Sequence, residues 1–537
     1  YGSNWVPLFD NEPTGSIGAI AVAPSDPNII YVGTGAGIIR PDLSVGDGVY
    51  KSTDAGKTWT HLGLRDSQMI ANIEVDPTNP NRLFVAVLGH PYGPNEERGI
   101  FRSTDGGKTF EKVLYKNAYM SGNDVRIDPR NPEIVYAALW QQQQSYIEGA
   151  EFGGAGGGIF KSTDGGTTWK QVTDGLPAGV IEANLGVSMS DPSIVYAMVA
   201  GASGAANPGG RPNTTGTIGF YKSTDSGEHW FLAAHGPSAP QNAVIDSRPL
   251  VRIGGGDLPT IAVDPTNPNV VYSASTVFWR TEDGGVTWSA VRGAPGGDDY
   301  QKAWVNPKDP NIILLVADQG AVVSGNRGKS WSNWYNQPTA AMYHVSTDDA
   351  FPYRVCGGQQ DSGSACVDSR SMDGEITFHD WHPVNIQEYG IAASDPKDPN
   401  LVFGSERTNV SLYNRTTGQT TNVGPDATDR GTQFGRNVRT MPILWSPVNP
   451  RILYYTSNVV WKSSDNAHSW TRISPDLARQ TWAVPANVGK YSSEVTPAPQ
   501  GSITALSASP RDVNVLWAGT DDGNIQVTTD GGAKWTN

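Results

Sequence analysis

One octapeptide recurs along the whole chain, and this repetition limits the possible folds more than any other feature of the sequence. Its pattern is Ser-x-Asp-x-Gly-x-Thr-Trp, and five copies keep it closely, at residues 52–59, 103–110, 162–169, 223–230 and 281–288. Three looser copies follow at residues 324–331, 463–470 and 528–535. A pattern that returns about every 50 residues indicates a repeat architecture in which each repeat is one small structural unit.

A pair of short apolar segments joined by an Asp-Pro or Asn-Pro turn precedes the octapeptide in the clearest repeats. Examples are IEVDPTNPNRLFVAV at 73–87 and IAVDPTNPNVVYSAS at 261–275. Because proline fixes φ and cannot donate to a central strand ladder, these prolines mark turns between antiparallel strands. Each repeat is therefore predicted to hold four strands, a to d, with the octapeptide as the turn between c and d.

Ten repeats of this kind are present, which predicts an all-β propeller of about ten four-stranded blades. Two of them, at 343–381 and 391–423, keep the strand pattern without the octapeptide. The 62 glycines and 38 prolines leave little room for long helices. The innermost strands are predicted to start near Ile17, Ile73, Val125, Leu185, Ile261, Trp304, Tyr343, Ile391, Ile443 and Ile503.

The two ends of the chain match two parts of one repeat. Residues 1–5 resemble the second half of the octapeptide, and the chain stops two residues after Trp535, which completes the last copy. Residues 1–10 could supply the outer strand of the last blade and close a single ten-bladed ring. They could also belong to a preceding blade of a longer, tandem two-propeller protein, and the truncated first octapeptide favours that longer parent.

Charge and hydropathy exclude several classes of partner. Lys and Arg number 39 against 53 Asp and Glu, a net charge of −14, and no basic run relieves it. A nucleic acid partner is therefore not expected. No stretch approaches the roughly 18 apolar residues of a membrane helix. The chain starts at Tyr1 without a signal-like segment, so a mature or excised polypeptide with no membrane span is expected.

No cofactor and no metal ion is predicted. The glycine runs at 153–158 and 254–256 are not followed by a helix, so they do not form a phosphate cradle. The eight histidines show no paired spacing of the kind that binds zinc.

The chain has two cysteines, Cys356 and Cys366, separated by a glycine-containing turn. This spacing is compatible with a disulfide that joins the two strands of a hairpin in an oxidising compartment. The alternative is a pair of buried free thiols.

The aspartates of the octapeptides are predicted to be structural. A short carboxylate can accept backbone N–H bonds inside its own turn, the glycine takes a positive φ, and the tryptophan packs between neighbouring units. A metal site would need several oxygen ligands converging on one ion, whereas these aspartates lie on separate units. The aspartates assigned this structural role are Asp54, Asp105, Asp164, Asp225, Asp283, Asp465 and Asp530.

Length variation is confined to one end of the predicted units. The a–b and c–d turns share one end, whereas the b–c and d–a loops share the other, and long loops on a rigid scaffold usually carry binding and chemistry. The ligand site is therefore expected at the loop end. The loops that vary lie at 34–47, 88–98, 140–158, 200–218, 233–258, 424–440 and 474–501.

The strongest candidate group follows the second strand of the seventh unit. Gln359, Gln360 and Asp361 lie there, close in sequence to His344. Amide, carboxylate and aromatic groups together suit sugar hydroxyls and ring faces. The alternative is that the two glutamines satisfy backbone groups at the inner wall. The loop that follows adds Trp381, Glu388 and Tyr389.

Two further loops carry similar groups. His90 lies near Tyr92, Glu96 and Arg98, and Trp140 precedes four glutamines with Glu148 and Glu151 beyond them. Surface ion pairing of Glu96 or Glu97 with Arg98 is the alternative for the first of these loops.

The octapeptide with its proline turns resembles the Asp-box of BNR-type β-propellers. Over the whole chain the pattern is similar to secreted bacterial BNR-repeat proteins described as sortilin-like or glycosyl-hydrolase-like. The stretches VGDGVYKSTDAGKTWTHLGLRDS, GPNEERGIFRSTDGGKTF and NQPTAAMYHVSTDDAFPYRVCGGQQD carry this resemblance. It implies a secreted protein, extracellular or periplasmic, in a group that generally lacks an assigned substrate.

Two better-understood groups share the repeat. Sortilin-type receptors form a ten-bladed ring that binds peptides in its tunnel. Xyloglucanase-type glycoside hydrolases pack two seven-bladed propellers around a cleft and use two aspartates for inverting hydrolysis. The resemblance places one of these aspartates where this chain has Gly35. A comparable segment, AGTDDGN, offers Asp521 or Asp522 in the last unit. Because inversion needs an acid and a base roughly 6.5–9.5 Å apart, one acid without a partner weakens the xyloglucanase interpretation.

These observations predict a secreted propeller that binds or hydrolyses extracellular polysaccharide at its loop end. If it is an enzyme, it is a glycoside hydrolase, with Asp361, Glu388, Asp521 and Asp522 as candidate acids. The alternative is a non-catalytic scaffold that binds a protein or peptide, of the sortilin type or within an extracellular assembly.

Overall fold

The computed structural model describes most of the chain. The described residues are 1–38, 44–144, 150–152, 156–201, 218–236, 245–253, 258–337, 340–405, 409–425, 435–481 and 501–537. They form 39 strands and no α-helix, with single 3₁₀ turns at Arg65–Ser67, Arg248–Leu250 and Phe378–Asp380. The predicted all-β propeller fold is confirmed. The predicted residue Glu148, and much of the loops at 200–218 and 474–501, lie outside the described residues.

The described strands form ten antiparallel sheets, numbered here in chain order. Seven have four strands, sheet 3 has five, and sheets 6 and 10 have three. Consecutive strands pair within each sheet, apart from the short β11 hairpin on β10. This is the up-and-down arrangement that the alternating segments and proline turns predict.

The chain divides into two compact units, and unit 1 contains sheets 1 to 6 within residues 1–337. Sheet 1 has β1 (Ile17–Val22), β2 (Ile30–Thr34), β3 (Val49–Ser52) and β4 (Thr60–Gly63), and sheet 2 has β5 (Ile70–Val75), β6 (Leu83–Val87), β7 (Gly99–Ser103) and β8 (Glu111–Leu114). Sheet 3 has β9 (Met120–Ile127), β10 (Val135–Gln144), β11 (Ala150–Phe152), β12 (Gly158–Ser162) and β13 (Lys170–Val172). Sheet 4 has β14 (Val180–Val187), β15 (Val195–Gly201), β16 (Ile218–Ser223) and β17 (Phe231–Leu232). Sheet 5 has β18 (Thr260–Val263), β19 (Val271–Ala274), β20 (Phe278–Thr281) and β21 (Ser289–Arg292), and sheet 6 has β22 (Lys302–Val305), β23 (Ile313–Ala317) and β24 (Gly320–Ser324).

Unit 2 contains sheets 7 to 10, whose described residues lie within 340–481 and 501–537. Sheet 7 has β25 (Ser346–Thr347), β26 (Arg354–Gln359), β27 (Gly363–Asp368) and β28 (Trp381–Pro383), and sheet 8 has β29 (Ala392–Ser394), β30 (Leu401–Ser405), β31 (Val410–Asn414) and β32 (Gln419–Asn422). Sheet 9 has β33 (Ile443–Trp445), β34 (Leu453–Thr456), β35 (Val460–Ser463) and β36 (Thr471–Arg472), and sheet 10 has β37 (Ile503–Ala508), β38 (Leu516–Thr520) and β39 (Ile525–Thr528).

Eight of the ten predicted strand starts lie inside the innermost strand of their sheet. Ile391 falls one residue before β29, and Tyr343 falls three residues before β25. The innermost strand of sheet 7 has only two residues, because the Tyr343 segment is linked to β26 through isolated bonds at Gly358 and Gln359 instead of a continuous ladder.

The hydrophobic core lies between consecutive sheets within each unit. One buried cluster joins Phe84 of sheet 2 to Val125 and Val135 of sheet 3, and another joins Tyr196 of sheet 4 to Val271 of sheet 5. In unit 2 a cluster joins Cys356 and Cys366 of sheet 7 to Val402 of sheet 8. The neighbouring sheets bury strands such as β6 on both faces, which explains the nearly continuous apolar sequence of that strand.

Residues 1–10 contain no strand and connect the first and sixth sheets of unit 1. The carbonyls of Gly2 and Ser3 accept hydrogen bonds from the side-chain amide of Asn336, at 2.9 and 2.7 Å. The carbonyl of Leu8 accepts a 2.7 Å bond from the indole N–H of Trp59. The amino-terminal segment thus bridges the two ends of the row of six sheets.

Candidate functional site

The octapeptide turns are held together by their own side chains. In the first copy, Asp54 Oδ1 accepts the backbone N–H groups of Lys57 and Thr58, at 3.0 and 2.9 Å. Its Oδ2 accepts the Thr58 hydroxyl at 2.7 Å. The same carboxylate pattern recurs at Asp105, Asp164, Asp225, Asp283, Asp465 and Asp530, with a shorter set of bonds in some copies.

These bonds lower the pKa of the turn carboxylates. Hydrogen bonds from the Thr58 hydroxyl and N–H hold the pKa of Asp54 at about 2, and those from Thr168 do the same for Asp164. A carboxylate that accepts several hydrogen bonds is stabilised in its ionised form and is a poor proton donor near neutral pH. The octapeptide aspartates are therefore ionised, and they stabilise the turn by accepting its hydrogen bonds.

A buried hydroxyl, which the sequence analysis did not single out, completes each turn. Ser52 Oγ donates to Asp54 Oδ1 at 2.8 Å and accepts the N–H of Gly56 at 2.8 Å. Every copy repeats the bond to the residue four positions on, including those that have lost the aspartate or the glycine. The constant Ser or Thr at the first position of the octapeptide was the available signal.

A different use of carboxyl groups occurs at the loop end of sheets 7 and 8. Asp361 lies in the tight turn between β26 and β27 at φ 53°, and its N–H donates a 2.6 Å bond to Glu388 Oε2. Glu388 lies in the connection from sheet 7 to sheet 8. The two residues are 27 positions apart in the chain, and the structure brings them into direct contact.

The pKa of Glu388 is raised, in contrast to that of the turn aspartates. Burial is the largest cause, and the charge of the Asp361 carboxyl and a hydrogen bond to it raise the pKa further. The Asp361 N–H and the guanidinium of Arg439 act in the opposite sense. Because Asp361 is exposed and Glu388 only half-buried, this carboxyl pair can present a proton to a bound oxygen atom.

Two tyrosines and an arginine surround this carboxyl pair. The Tyr343 and Tyr389 rings meet edge to face with centroids 5.9 Å apart, and the Arg439 guanidinium carbon lies 5.4 Å from the Tyr389 centroid. Arg439 was missed by the sequence analysis, although it falls in the variable loop at 424–440. Because Arg439 and Tyr343 already contact the Tyr389 ring, Tyr389 positions the arginine instead of offering a free face.

A glycine permits the close approach of β26 to the connection that carries Glu388. A Cβ atom on Gly358 would lie 2.2 Å from the carbonyl oxygen of Glu388. Any side chain there would push the Glu388 backbone away from β26. Gln359 and Gln360 follow directly, and both are half-buried. His344 lies beside Gly357, and burial lowers its pKa, which favours the neutral imidazole.

Trp381 does not join this group. It starts β28 and pairs with Val367, whereas Gln359 pairs with Gly363 at the other end of the sheet. It lies at the turn end, where Phe351, Met372 and Phe378 are also exposed. The disulfide between Cys356 and Cys366, with an S–S distance of 2.04 Å, links β26 to β27 in the middle of the same sheet.

The two candidate groups of unit 1 are mainly packing elements. Trp140 is 2% exposed and Gln142 and Gln143 are fully buried, so the Trp140 ring faces protein. Arg98 is also fully buried, and its guanidinium donates to the carbonyls of His90 and Gln142, at 3.1 and 2.6 Å. Arg98, which was predicted to lie in a surface group with Glu96, is therefore an internal residue that holds the loop at 88–98.

Asp521 and Asp522, the two candidate acids of sheet 10, differ from each other. Asp522 accepts the Thr520 hydroxyl at 2.5 Å and the Arg479 N–H at 2.8 Å, so it shapes the turn. Burial raises the pKa of Asp521, whose Oδ1 accepts the N–H of Ser502 at 2.8 Å. A cavity of about 450 Å³ adjoins this turn, and its lining includes Asp476, Arg479, Gln480 and Asn524.

Comparison with solved structures supports the assignment of the fold. The crystal structure of the GH74 xyloglucanase from Xanthomonas campestris aligns with 99% of this chain and 88% of its own, with a TM-score of 0.50 and 15% sequence identity. This alignment agrees with the architecture of ten antiparallel sheets. The chain is an Asp-box β-propeller. At 15% identity the likeness concerns the fold alone.

Sequence comparisons relate this propeller to two groups of proteins. The sortilin family model, described as "Sortilin, neurotensin receptor 3", matches residues 47–176. A xyloglucanase of Acetivibrio thermocellus is 25% identical over 381 residues, which cover 62% of this chain and 41% of the relative. A xyloglucanase of a Paenibacillus species is 27% identical over 323 residues, covering 54% and 28%. The propeller thus spans less than half the length of these relatives and is similar to sortilin-like and xyloglucanase-type propellers.

The described part of the propeller lacks two features. No group of three or more His, Cys, Asp or Glu side chains there is placed to hold a metal ion. No helix there is both long and apolar enough to cross a membrane.

Proposed function

We propose that this propeller is secreted and binds or hydrolyses polysaccharide, with the loop end of sheets 7 and 8 as the site. The observation that carries the proposal is the contact between Asp361 and Glu388, in which the exposed Asp361 donates its backbone N–H to the half-buried carboxyl of Glu388. Similarity to xyloglucanases favours a polysaccharide over other ligands.

The chemistry of the site suits a hydroxyl-rich ligand. When it carries its proton, the Glu388 carboxyl can donate to a sugar oxygen, a carboxyl oxygen of Asp361 can accept from a hydroxyl, and the amides of Gln359 and Gln360 can do both. Inverting hydrolysis needs an acid and a base roughly 6.5–9.5 Å apart. Because Asp361 and Glu388 are in hydrogen-bond contact, the pair acts as a single acid, and a base for hydrolysis has to come from another residue.

Secretion is supported by the covalent chemistry of sheet 7. Disulfides persist in oxidising compartments and are rare in the reducing cytosol. The Cys356–Cys366 bond lies in the sheet that carries the proposed site.

A non-catalytic scaffold that binds a protein or peptide is the second candidate function. It is favoured by the match of residues 47–176 to the sortilin family model. That match lies in unit 1, away in sequence from the carboxyl pair of unit 2. A ligand that still binds after loss of the carboxyl pair would support this candidate.

The test compares two glutamate variants of the same sheet region. Glu388→Gln removes the acid of the site, whereas Glu375→Gln changes an exposed glutamate at the turn end of sheet 7. Binding is measured by affinity electrophoresis in xyloglucan and in other neutral plant, algal and bacterial glycans, and turnover by a reducing-end assay. Glu388→Gln is expected to lower binding or turnover at least tenfold, with Glu375→Gln at the wild-type level.

Two further outcomes are informative. Asp361→Asn is expected to lower binding or turnover, as Glu388→Gln does. A loss of binding or turnover in Asp521→Asn alone would move the site to sheet 10. If the unaltered chain neither binds nor cleaves any of these glycans, the polysaccharide proposal is wrong.

A further inference from the structure

The turn end of sheet 7 exposes a group of large apolar side chains that takes no part in the proposed polysaccharide site. Phe351 and Met372 are 98% and 100% exposed. Large apolar side chains exposed singly are ordinary, whereas several on one surface mark an interaction site. The group, named the apolar turn patch, consists of Phe351, Tyr353, Met372, Ile376, Phe378 and Trp381.

The strand register of sheet 7 brings the two halves of this patch together. The Tyr353 carbonyl accepts a 2.9 Å bond from the Ser369 N–H, so the a–b turn and the c–d connection leave the sheet side by side. Val355, Val367 and Trp381 lie opposite one another across β26, β27 and β28. Because residues that are opposite, or two apart along a strand, share a face, Tyr353 and Trp381 lie on the same face.

Polar contacts beneath the patch fix the two segments that carry it. The Arg354 guanidinium donates to the Asp348 carboxylate, and both side chains are buried. The same guanidinium donates to the Pro399 carbonyl at 2.9 Å. In the c–d connection, Asp380 Oδ2 accepts the Thr377 N–H at 2.7 Å. A partner therefore meets a preformed surface, and little of the chain has to be ordered on binding.

The repeat itself does not account for the patch. In sheet 2 the exposed residues of the a–b turn include Thr78 and Asn79, and those of the c–d turn include Lys108 and Thr109. These side chains are polar, and such turns need no cover. Sheet 7 has lost the octapeptide and presents apolar side chains at the same end, so its turn end differs in chemistry from that of sheet 2.

The charges on the same two segments indicate the kind of partner. Three exposed carboxylates lie there, those of Asp349, Asp373 and Glu375, beside one exposed arginine, Arg370. The whole chain carries a net charge of −14. A second copy of this chain would bring like charges together at the patch. A cationic partner is attracted from a distance and held in register by the carboxylates.

The composition of the patch favours a protein as that partner. Met372 and Ile376 place flexible or branched aliphatic side chains among the aromatic rings. Methionine and aromatic residues are enriched at protein interfaces, and methionine adapts its shape to a partner side chain. A neutral glycan would draw nothing from the carboxylates at the edge.

We propose that the apolar turn patch docks a cationic segment of a partner protein. Apolar side chains of that segment cover the patch, and its lysine or arginine side chains pair with Asp349 and Asp373. This surface lies at the opposite end of sheet 7 from the carboxyl pair of Asp361 and Glu388, and it is independent of the proposed polysaccharide site.

The experiment measures binding of labelled synthetic peptides to the full chain by fluorescence anisotropy. The probe is an amphipathic peptide of lysine and leucine. One control peptide has glutamate in place of lysine, and the other has serine in place of leucine. Saturable binding of the lysine–leucine peptide is expected, with binding of each control peptide roughly tenfold weaker or less, because the first lacks the charge and the second the apolar contact.

Two variants test the two halves of the proposal. Met372→Ser/Phe378→Ser removes exposed apolar groups and is expected to weaken binding of the lysine–leucine peptide roughly tenfold. The matched control is Val286→Ser/Tyr335→Ser, which removes side chains that are 48% and 87% exposed elsewhere in the chain and is expected to bind like the unaltered chain. Asp349→Asn/Asp373→Asn is expected to weaken binding and to reduce its dependence on salt.

Three results would overturn the proposal. The first is equal binding of the lysine–leucine peptide by Met372→Ser/Phe378→Ser and by its control, with the thermal unfolding midpoints of both variants unchanged. The second is equally tight binding of the glutamate peptide. The third is self-association of the unaltered chain in sedimentation that Met372→Ser/Phe378→Ser abolishes, which would identify a second copy as the occupant of the patch.

Discussion

Sheet 7 and sheet 3 share one strand plan but stabilise it by different chemistry. In sheet 3 the turn between β12 and β13 is bracketed by Asp164, whose pKa is about 2. Sheet 7 has no octapeptide, and a disulfide joins its two central strands. At the loop end of sheet 7, the carboxyl of Glu388 has a raised pKa.

The surroundings of a carboxyl group decide its role in this propeller. Carboxylates that accept many N–H and O–H bonds within their own turn are stabilised as anions and serve as structure. A carboxyl that is half-buried against another carboxyl tends to keep its proton and is available for chemistry. Sheets 7 and 8, the two that lack the octapeptide, are also the two whose loop end carries the proposed site.

The largest effect is expected from filling the glycine position of a boxed turn. Gly166 has φ 84°, and a Cβ atom there would lie 2.5 Å from Cε1 of the fully buried Phe84. Gly166→Ala is expected to cost about 2–4 kcal/mol, from a left-handed alanine and an overpacked neighbour. Urea unfolding measures the loss.

The reciprocal change provides a matched control for that experiment. Ala467 occupies the equivalent position of a looser copy at φ 64°. Ala467→Gly is expected to stabilise the chain by about 0.5–1 kcal/mol. A destabilising Ala467→Gly would mean that packing of the methyl group outweighs backbone strain.

The next effect concerns the covalent link that sheet 7 has and the boxed sheets lack. The double variant Cys356→Ala/Cys366→Ala opens a loop of ten residues and is expected to cost about 2–3 kcal/mol. The measurement is urea unfolding of the variant beside the oxidised unaltered chain. An unchanged stability would show that the strand ladder alone holds sheet 7.

A smaller effect is expected from the buried hydroxyl of a boxed turn. Ser162 is 1% exposed, and its hydroxyl donates a 2.8 Å hydrogen bond to Asp164 and accepts one of 2.8 Å from the Gly166 N–H. Ser162→Ala is expected to cost about 1–3 kcal/mol because it leaves a buried N–H without an acceptor. Ser369→Ala, at the unboxed turn of sheet 7, is the control and is expected to change stability less.

The smallest effects are opposite pH dependences of the two kinds of carboxyl group. Asp164 has a folded-state pKa below that of an unfolded aspartate, so its contribution is present above about pH 4 and is lost as pH falls towards 2. Glu388 has a raised pKa, so its contribution is present below about pH 4 and is lost as pH rises through the raised value.

Stability measured from pH 2 to 8 distinguishes these two dependences. The difference between the unaltered chain and Asp164→Asn is expected to shrink at low pH. The stability of Glu388→Gln is expected to rise relative to that of the unaltered chain as pH rises. The same sign of change in both variants would contradict the distinction between the two kinds of carboxyl group.

Local features of the fold were predictable because their causes are local. Asp54 brackets residues three and four positions away, and the proline turns join adjacent strands, so spacing alone identifies them. Arg439 was not predictable in this way, because it reaches Tyr389 from the next d–a loop, 50 residues further on. Trp381 was grouped with Asp361 from nearness in sequence, and the strand register places it at the opposite end of the sheet.

The repeat, the four-stranded sheets and the structural role of the octapeptide follow from the amino-acid sequence, since each depends on hydrogen bonds and periodicity within a few residues. The packing of the sheets was needed to bring Glu388 to Asp361 and to place Glu74 beside Arg126. These groups come from separate strands and loops, and their pKa values depend on burial and on charges that become neighbours only after the sheets have packed.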